Sequence, residues 1–193
     1  MGNKNIKDIL WEIKMTFLGH FFPKKVIDYR FYDAYGRFIN WNSPKSLDEK
    51  INWLKIYSDT SLWPILADKY EVRKYVSERG FSDSLVKLYG KWDKVEDIDW
   101  NSLPNHFIIK TNNGSGDVIK CYNKNTFDYQ KSIKTLKKLL HLKFGYDMGE
   151  QQYAKIRPCI IAEELLDSNN QAFKSDSLID YKFLSFNGKP TYI

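Results

Sequence analysis

The chain has 193 residues, of which 42% are hydrophobic and 16% aromatic, a composition that favours a packed soluble globule and excludes a wholly disordered chain. A formal net charge of +6 favours anionic partners without choosing among nucleotides, nucleic acid and acidic lipid. Two cysteines and three scattered histidines exclude a disulfide framework and a structural zinc site, so we expect a reducing cytoplasm.

The first 25 residues contain a helical pattern of apolar residues at Ile6, Ile9, Leu10, Ile13 and Phe17. No apolar run reaches the roughly 7 to 15 residues of a signal peptide or the ~20 of a membrane span, so we expect neither export nor a transmembrane helix. We expect this helix to pack on its own domain. The alternative is a peripheral contact with the inner face of the membrane, because several lysines lie nearby. These are Lys4, Lys7, Lys14, Lys24 and Lys25.

Two helices are predicted between residues 46 and 80. Ser46 and Glu49 have the spacing of a capping box, which predicts a helix over residues 46–57. A second helix is predicted over residues 67–79, ending before Gly80, since glycine tolerates a left-handed backbone. The segment LVKLYG, residues 85–90, is a candidate strand, and a polar connection with a short helical turn follows it.

A β-hairpin is predicted around the turn at residues 112–116, with strands over residues 107–110 and 118–122. A long helix is predicted over residues 128–144, with Gly145 beyond its end. Two more strands, residues 157–166 and 180–186, precede a tight turn at Asn187 and Gly188. Helices and antiparallel strands in this order predict an α+β fold.

The stretch HFIIKTNNGSG places Lys110 at the end of an apolar strand, directly before a glycine-containing turn. Main-chain N–H groups in such a turn can point together at phosphate oxygens, and Gly114 and Gly116 allow a close approach. The turn is not a Walker A loop, and an ordinary hairpin would explain its glycines. A lysine that closes an apolar strand, however, must reach water or an anion. Glu163 and Glu164 are consecutive on a strand and face opposite ways, which argues against a coupled catalytic pair.

Five segments in order resemble the TupA-like ATP-grasp family, which is associated with bacterial surface-polysaccharide and teichuronopeptide synthesis. They are ADKYEVRKYV, LVKLYGKWD, SLPNHFIIKTNNGSG, IIAEELL and DYKFLSFNGKP, spanning about residues 45–193. The resemblance implies an ATP-grasp-like fold that clamps ATP between two subdomains and activates a carboxylate as an acyl phosphate. We expect an N-terminal helical extension (1–45), a mainly helical region (46–103), a small ATP-grasp subdomain (104–178) and the start of a C-terminal subdomain (179–193).

The resemblance also implies phosphate contacts. Lys69 would reach the α-phosphate, and Lys110 would contact phosphate and the adenine edge. Both tasks suit a flexible point charge. A mobile loop would cover the β- and γ-phosphates with its main-chain N–H groups. That loop consists of Asn113, Gly114, Ser115 and Gly116.

The adenine and ribose contacts are implied in the same way. The family's adenine-binding strand is matched by Glu163, Glu164 and Leu166. On that strand a carboxylate or main-chain carbonyl accepts from the exocyclic amine of adenine, a main-chain N–H faces a ring nitrogen, and an apolar side chain packs on the purine. Asp180 falls where the family places an acid on the ribose hydroxyls, and Lys182 falls where another phosphate lysine stands.

Magnesium is the second cofactor that the resemblance implies, and its ligands are expected beyond Ile193. We therefore expect a C-terminally truncated member of the family. We assign neither a catalytic residue nor a metal ligand. The expected partners are a nucleotide and a glycan or peptide acceptor. Two alternatives stay open. One is a membrane-associated, glycosyltransferase-like component of capsule or glycan assembly. The other is a nucleic-acid-binding domain that uses the lysines of residues 131–143, although a solvated helix face is the commoner explanation of such lysines.

Overall fold

The computed structural model describes residues 5–114, 116, 118–166 and 178–192. These residues form seven α-helices and six β-strands, which confirms the α+β class. The helices are α1 (Ile6–Phe21), α2 (Pro23–Tyr35), α3 (Leu47–Tyr57), α4 (Trp63–Ala67), α5 (Glu71–Ser77), α6 (Tyr129–Leu140) and α7 (Gln151–Ala154). The strands are β1 (Leu88–Trp92), β2 (Phe107–Thr111), β3 (Val118–Cys121), β4 (Ile160–Glu163), β5 (Leu184–Phe186) and β6 (Lys189–Tyr192).

Four strands form one antiparallel sheet in the order β1-β4-β2-β3. The predicted hairpin of β2 and β3 is confirmed. Among these four strands β4 is the last along the chain, but it lies between β1 and β2, so both of its edges are paired. All four residues of β4 are buried. The sheet therefore has an interior strand that ends in a carboxylate, Glu163.

One face of this sheet packs on α6 and forms the main core. Phe107 and Ile109 of β2, with Ile160 and Ala162 of β4, share a buried cluster with Leu136 of α6. Because successive strand residues point to opposite faces, the residues between them lie on the other side of the sheet. Burying these large apolar side chains is the main source of stability for this layer.

A second, smaller core joins α2 and α3. Ile27, Phe31 and Ile39 are buried together, and Trp41 and Ile56 pack against them. This cluster does not share residues with the core beneath the sheet. The N-terminal helices are instead tied to the rest by residues 147–151, where Arg30 donates to the Asp147 carbonyl at 3.0 Å and Lys55 pairs with Glu150 at 3.4 Å.

The predicted N-terminal helix is confirmed as α1, and it packs on its own domain, but not through its apolar stripe. Met15 is fully buried, and Gly19 lies so close to the Tyr146 carbonyl that no Cβ would fit there. The stripe that contains Ile13 and Phe17 is exposed on the opposite side. No helix within the described ranges is long and apolar enough to cross a bilayer.

Several predicted boundaries are corrected. The helix predicted over residues 67–79 is broken, because the Asp68 carboxylate accepts from the N–H groups of Tyr70 and Glu71 and so starts α5 as a separate helix. The predicted strand at residues 85–90 begins three residues later, as β1. The helix predicted over residues 128–144 ends at Leu140. Strands predicted over residues 157–166 and 180–186 are shorter, as β4 and β5.

Two local predictions are confirmed in detail. The turn between β5 and β6 has positive φ at Asn187 and Gly188, as a tight hairpin turn requires. Ser46 accepts from the Glu49 N–H, and Glu49 accepts from the Ser46 N–H at 2.9 Å, which completes the capping box of α3. The same Glu49 carboxylate is buried and pairs with Arg37 at 2.6 Å.

We expect Glu49→Gln to lower the melting temperature by several degrees at pH 7. The Arg37 guanidinium, aided by the N–H groups of Ser46 and Lys45, holds the pKa of the Glu49 carboxyl far below its ordinary range. A depressed folded pKa adds stability above the unfolded value of about 4.3, and this stability is lost as the pH falls toward the folded pKa. Thermal melts at decreasing pH should therefore show the gap between wild type and variant narrowing below about pH 4.3.

The matched control is Glu78→Gln, because Glu78 is a largely exposed carboxylate that pairs only loosely with Lys74 across one helical turn, at 3.8 Å. It should change the melting temperature little at any pH. This account would be contradicted if the difference in melting temperature between the wild type and Glu49→Gln stayed constant down to the lowest pH at which both proteins melt cooperatively.

Candidate functional site

Three charged side chains meet on the face of the sheet that points away from α6. Lys110 Nζ lies 2.6 Å from Glu163 Oε2, and Arg73 Nη1 lies 3.1 Å from Glu163 Oε1. The Glu163 side chain is 5% exposed, and those of Lys110 and Arg73 are 16% and 17% exposed. One buried carboxylate thus holds two cations, one on each oxygen.

The strand register explains why two of these groups meet. Ile108 pairs with Glu163 and Lys110 pairs with Ile161 across β2 and β4. All four side chains therefore lie on one face, which we call the ion-pair face: Ile108, Lys110, Ile161 and Glu163. The predicted lysine and the first of the two predicted adenine-strand acids are brought together, although 53 positions separate them in the chain.

Arg73 was not among the residues predicted from the sequence. It comes from α5, and besides Glu163 it donates to the Val86 carbonyl at 2.6 Å. Its only sequence signal is its place in the segment ADKYEVRKYV, where it looks like one of several surface cations. What the sequence does not reveal is that α5 lies beside the buried end of β4, where one guanidinium can bind both a carboxylate oxygen and a main-chain carbonyl.

Lys69 is held against the start of the predicted phosphate loop. Its main-chain N–H donates to the Asn112 carbonyl at 3.1 Å, and its ammonium group donates to the carbonyls of Asn112 and Gly114. Lys69 and the loop therefore lie together. The Lys69 ammonium group therefore lies where the loop begins, directly after β2.

Asn112 fixes this junction from inside. Its side chain is buried, donating to Asp68 Oδ2 at 2.8 Å and accepting from the Cys159 N–H at 2.8 Å. The same amide nitrogen also donates to the Arg157 carbonyl at 3.1 Å. Asn112 therefore connects the end of β2 to the segment before α5 and to the segment before β4. The sequence suggested only that this residue opens a turn.

The loop itself is described in part. Asn113 and Gly114 are buried, Gly116 is exposed with φ of 80°, and Ser115 lies outside the described residues. Within the described chain, the side-chain oxygen of Asn113 is buried without a hydrogen-bond partner. A buried amide oxygen left unpaired is costly, so Asn113 is a group for which a bound ligand would supply a partner.

The remaining predicted residues are not gathered at the ion-pair face. Glu164 is exposed, and its N–H donates to the Lys87 carbonyl at 2.9 Å. Leu166 is 48% exposed. Asp180 and Lys182 are exposed in the segment before β5, which belongs to a separate two-stranded sheet.

A cavity of about 320 Å³ opens beside the Asn112 network, and Asp68, Asn112 and Cys159 contribute to its lining, whereas Lys110 and Glu163 do not. Burial, with a smaller effect of Asp68, raises the pKa of the Cys159 thiol to about 12, so this cysteine stays protonated and is a poor nucleophile. Within the ranges described, no group of three or more His, Cys, Asp or Glu side chains could hold a metal ion.

Comparison with known proteins gives one match. The family model described as TupA-like ATPgrasp matches residues 49–193, which is more than half of the chain. The matched range begins within α3 and contains the ion-pair face, Lys69 and the loop after β2. No curated protein and no solved structure matches the chain.

We expect Asn112→Ala to destabilise the fold by about 2–4 kcal/mol, because it leaves the buried Asp68 oxygen and the Cys159 N–H without a partner. Urea unfolding followed by circular dichroism would measure the change. Asn101→Ala is the control, since Asn101 is exposed and its replacement should stay within about 0.5 kcal/mol. Equal effects of the two substitutions would show that the Asn112 network does not stabilise the junction.

Proposed function

The chain belongs to the TupA-like ATP-grasp family, and on that premise we propose that it binds ATP on the ion-pair face of its four-stranded sheet. The triphosphate would lie toward Lys110, Lys69 and the loop at residues 113–116. The adenine would lie toward the end of β4, at Glu163, Glu164 and Leu166. ATP supplies the transferable γ-phosphoryl group, and the residues of this chain bind and orient it.

The contact between Lys110 and Glu163 is the observation that carries the proposal. A nucleotide site of this kind needs a cation for phosphate beside an acceptor for the adenine amine, and these two side chains lie 2.6 Å apart on neighbouring strands. The Lys110 side chain is mostly buried. Because an ammonium group is strongly hydrated in water, a buried one needs an anionic partner. Its present partner is a carboxylate, and a phosphate oxygen is a chemically equivalent partner.

Arg73 lowers the free-energy cost of such an exchange of partners. If Lys110 moved to a phosphate oxygen, the Glu163 carboxylate would keep its contact with Arg73, which approaches the other carboxylate oxygen at 3.1 Å. Leaving a buried carboxylate without any cation would cost several kcal/mol, roughly the 3–5 kcal/mol seen when one partner of a buried pair is removed. We therefore assign Arg73 the role of holding Glu163 in place while Lys110 binds phosphate.

The loop after β2 also suits a phosphate ligand. The Asn113 amide has an oxygen without a partner among the described residues, and rotation about its last bond presents its NH₂ group in the same place. Lys69 binds the loop carbonyls and so adds positive charge at the loop's base. The main-chain N–H of Gly116 would complete the proposed phosphate loop together with Ser115, which lies outside the described residues.

The remaining parts of the proposal are supported by the family resemblance. Asp180 would meet the ribose hydroxyls, and Lys182 would meet a phosphate. The reaction would be activation of a carboxylate by phosphoryl transfer, with magnesium neutralising phosphate charge. The acceptor would be a cell-surface glycan or a peptide attached to one.

We expect ATP with magnesium to raise the melting temperature of the wild-type chain, by an amount that corresponds to about 2.7 kcal/mol at 100 times the dissociation constant. Lys110→Ala should weaken ATP binding about 10- to 100-fold, because a hydrogen bond to a charged group contributes roughly 1.5–3 kcal/mol. Calorimetric titration of each protein, after a melt without nucleotide to verify folding, would measure this.

Lys134→Ala is the matched control, because it removes one exposed lysine from α6 and should leave ATP affinity unchanged. If Lys110→Ala binds ATP as tightly as the wild type, Lys110 is not a phosphate contact. If ATP at millimolar concentration stabilises neither protein, the chain does not bind ATP and the proposal fails.

A further inference from the structure

The outward side of α1 carries a stripe of exposed apolar residues from Ile6 to Phe17. Ile6, Ile9, Leu10, Ile13 and Phe17 recur at helical spacing and are between 45% and 77% exposed. We call these five residues the outer stripe. A surface helix of a globular domain normally buries such a stripe and exposes its polar face, so the orientation of α1 is the reverse of the usual one.

The contacts of α1 with the body of the protein keep the stripe turned outward. Met15 is fully buried, and Gly19 packs against the Tyr146 main chain with no space for a Cβ. Gln151 also donates to the Gly19 carbonyl at 2.5 Å. A rotation of α1 that buried the outer stripe would have to break these contacts. The exposed apolar surface is therefore a property of the packed helix.

Exposed aromatic and basic residues also occur at the end of α1 and the start of α2. Phe21 and Phe22 are more than half exposed. The exposed lysines Lys14 and Lys25 lie beside aromatic rings, with the Lys25 ammonium group 5.0 Å from the Phe22 ring centre and that of Lys14 5.8 Å from the Trp11 ring centre. Apolar residues flanked by aromatics and lysines are the composition of helices that lie in a bilayer interface.

We propose that the outer stripe docks the protein on a bilayer of anionic phospholipid, with α1 parallel to the membrane plane. A helix of 16 residues is about 24 Å long, shorter than the ~30 Å hydrocarbon core, so it lies on the bilayer and does not cross it. The lysines at its edge meet phosphate headgroups while Ile13 and Phe17 enter the acyl boundary.

The positive charge favours a lipid surface over a second copy of the chain. In a symmetric dimer built on the same patch, the Lys14 and Lys25 ammonium groups of one copy would face the same basic edge of the other. Like charges brought together at an interface oppose association. An anionic headgroup layer instead attracts them, and the net charge of +6 acts in the same direction.

Flotation of the full chain with vesicles tests this proposal. Mixed phosphatidylglycerol and phosphatidylcholine vesicles should carry the protein upward in a sucrose gradient, and phosphatidylcholine vesicles should do so much less. The double variant Ile13→Ser with Phe17→Ser should lower the partition coefficient about 10- to 100-fold, because two large apolar side chains no longer enter the bilayer. Lys14→Ala and Lys25→Ala should each lower it about fivefold, and high salt should have the same effect.

The matched control is Ile51→Ser with Leu54→Ser, which removes two exposed apolar side chains from α3 and should leave flotation unchanged. Melting temperatures would verify that both double variants fold, which is expected because the changed residues are exposed. Absence of flotation with anionic vesicles, or equal flotation of the outer-stripe variant, would overturn the proposal. So would a concentration-dependent dimer in sedimentation experiments that the outer-stripe variant abolishes, since a second copy would then cover the stripe.

Discussion

The arrangement of the site depends on one buried carboxylate. Glu163 ends a strand that is paired on both edges, and its side chain is only 5% exposed. A carboxylate in such a place has to be paired, and the fold supplies Lys110 from the neighbouring strand and Arg73 from α5. This requirement fixes the position of α5 beside the sheet. It also fixes Lys69, which precedes α5 by two residues and binds the loop after β2.

The Asn112 network completes this arrangement at the base of the loop. A single buried amide connects β2 to the residues before α5 and before β4, so three separate parts of the sequence meet at the base of the loop. The ion pairs orient the charged groups, and the amide network holds the backbone from which the loop leaves. The loop therefore has a firmly held base, whereas Gly116 at its outer end is exposed.

Local sequence signals predicted local structure well. The capping box at Ser46 and Glu49, the hairpin around the loop, and the turn at Asn187 and Gly188 depend on residues a few positions apart, and all three are confirmed. The insertion of β4 between β1 and β2 depends on pairing across about 50 to 75 residues, which no short pattern encodes. Arg73 was missed for the same reason, because its role exists only once β4 is in place.

The orientation of α1 shows a second limit of pattern reading. Apolar spacing predicts that a helix forms, but the assumption that its apolar side faces inward fails when another side offers a closer fit, as Gly19 does against Tyr146. This contact belongs to the segment at residues 145–151, which also holds α2 through Arg30 and α3 through Lys55. The three N-terminal helices are thus attached as one unit to the chain that leads into β4. Polar contacts at Gly19, Arg30 and Lys55 consequently connect any surface that α1 contacts, through this segment, to the sheet that carries the ion-pair face.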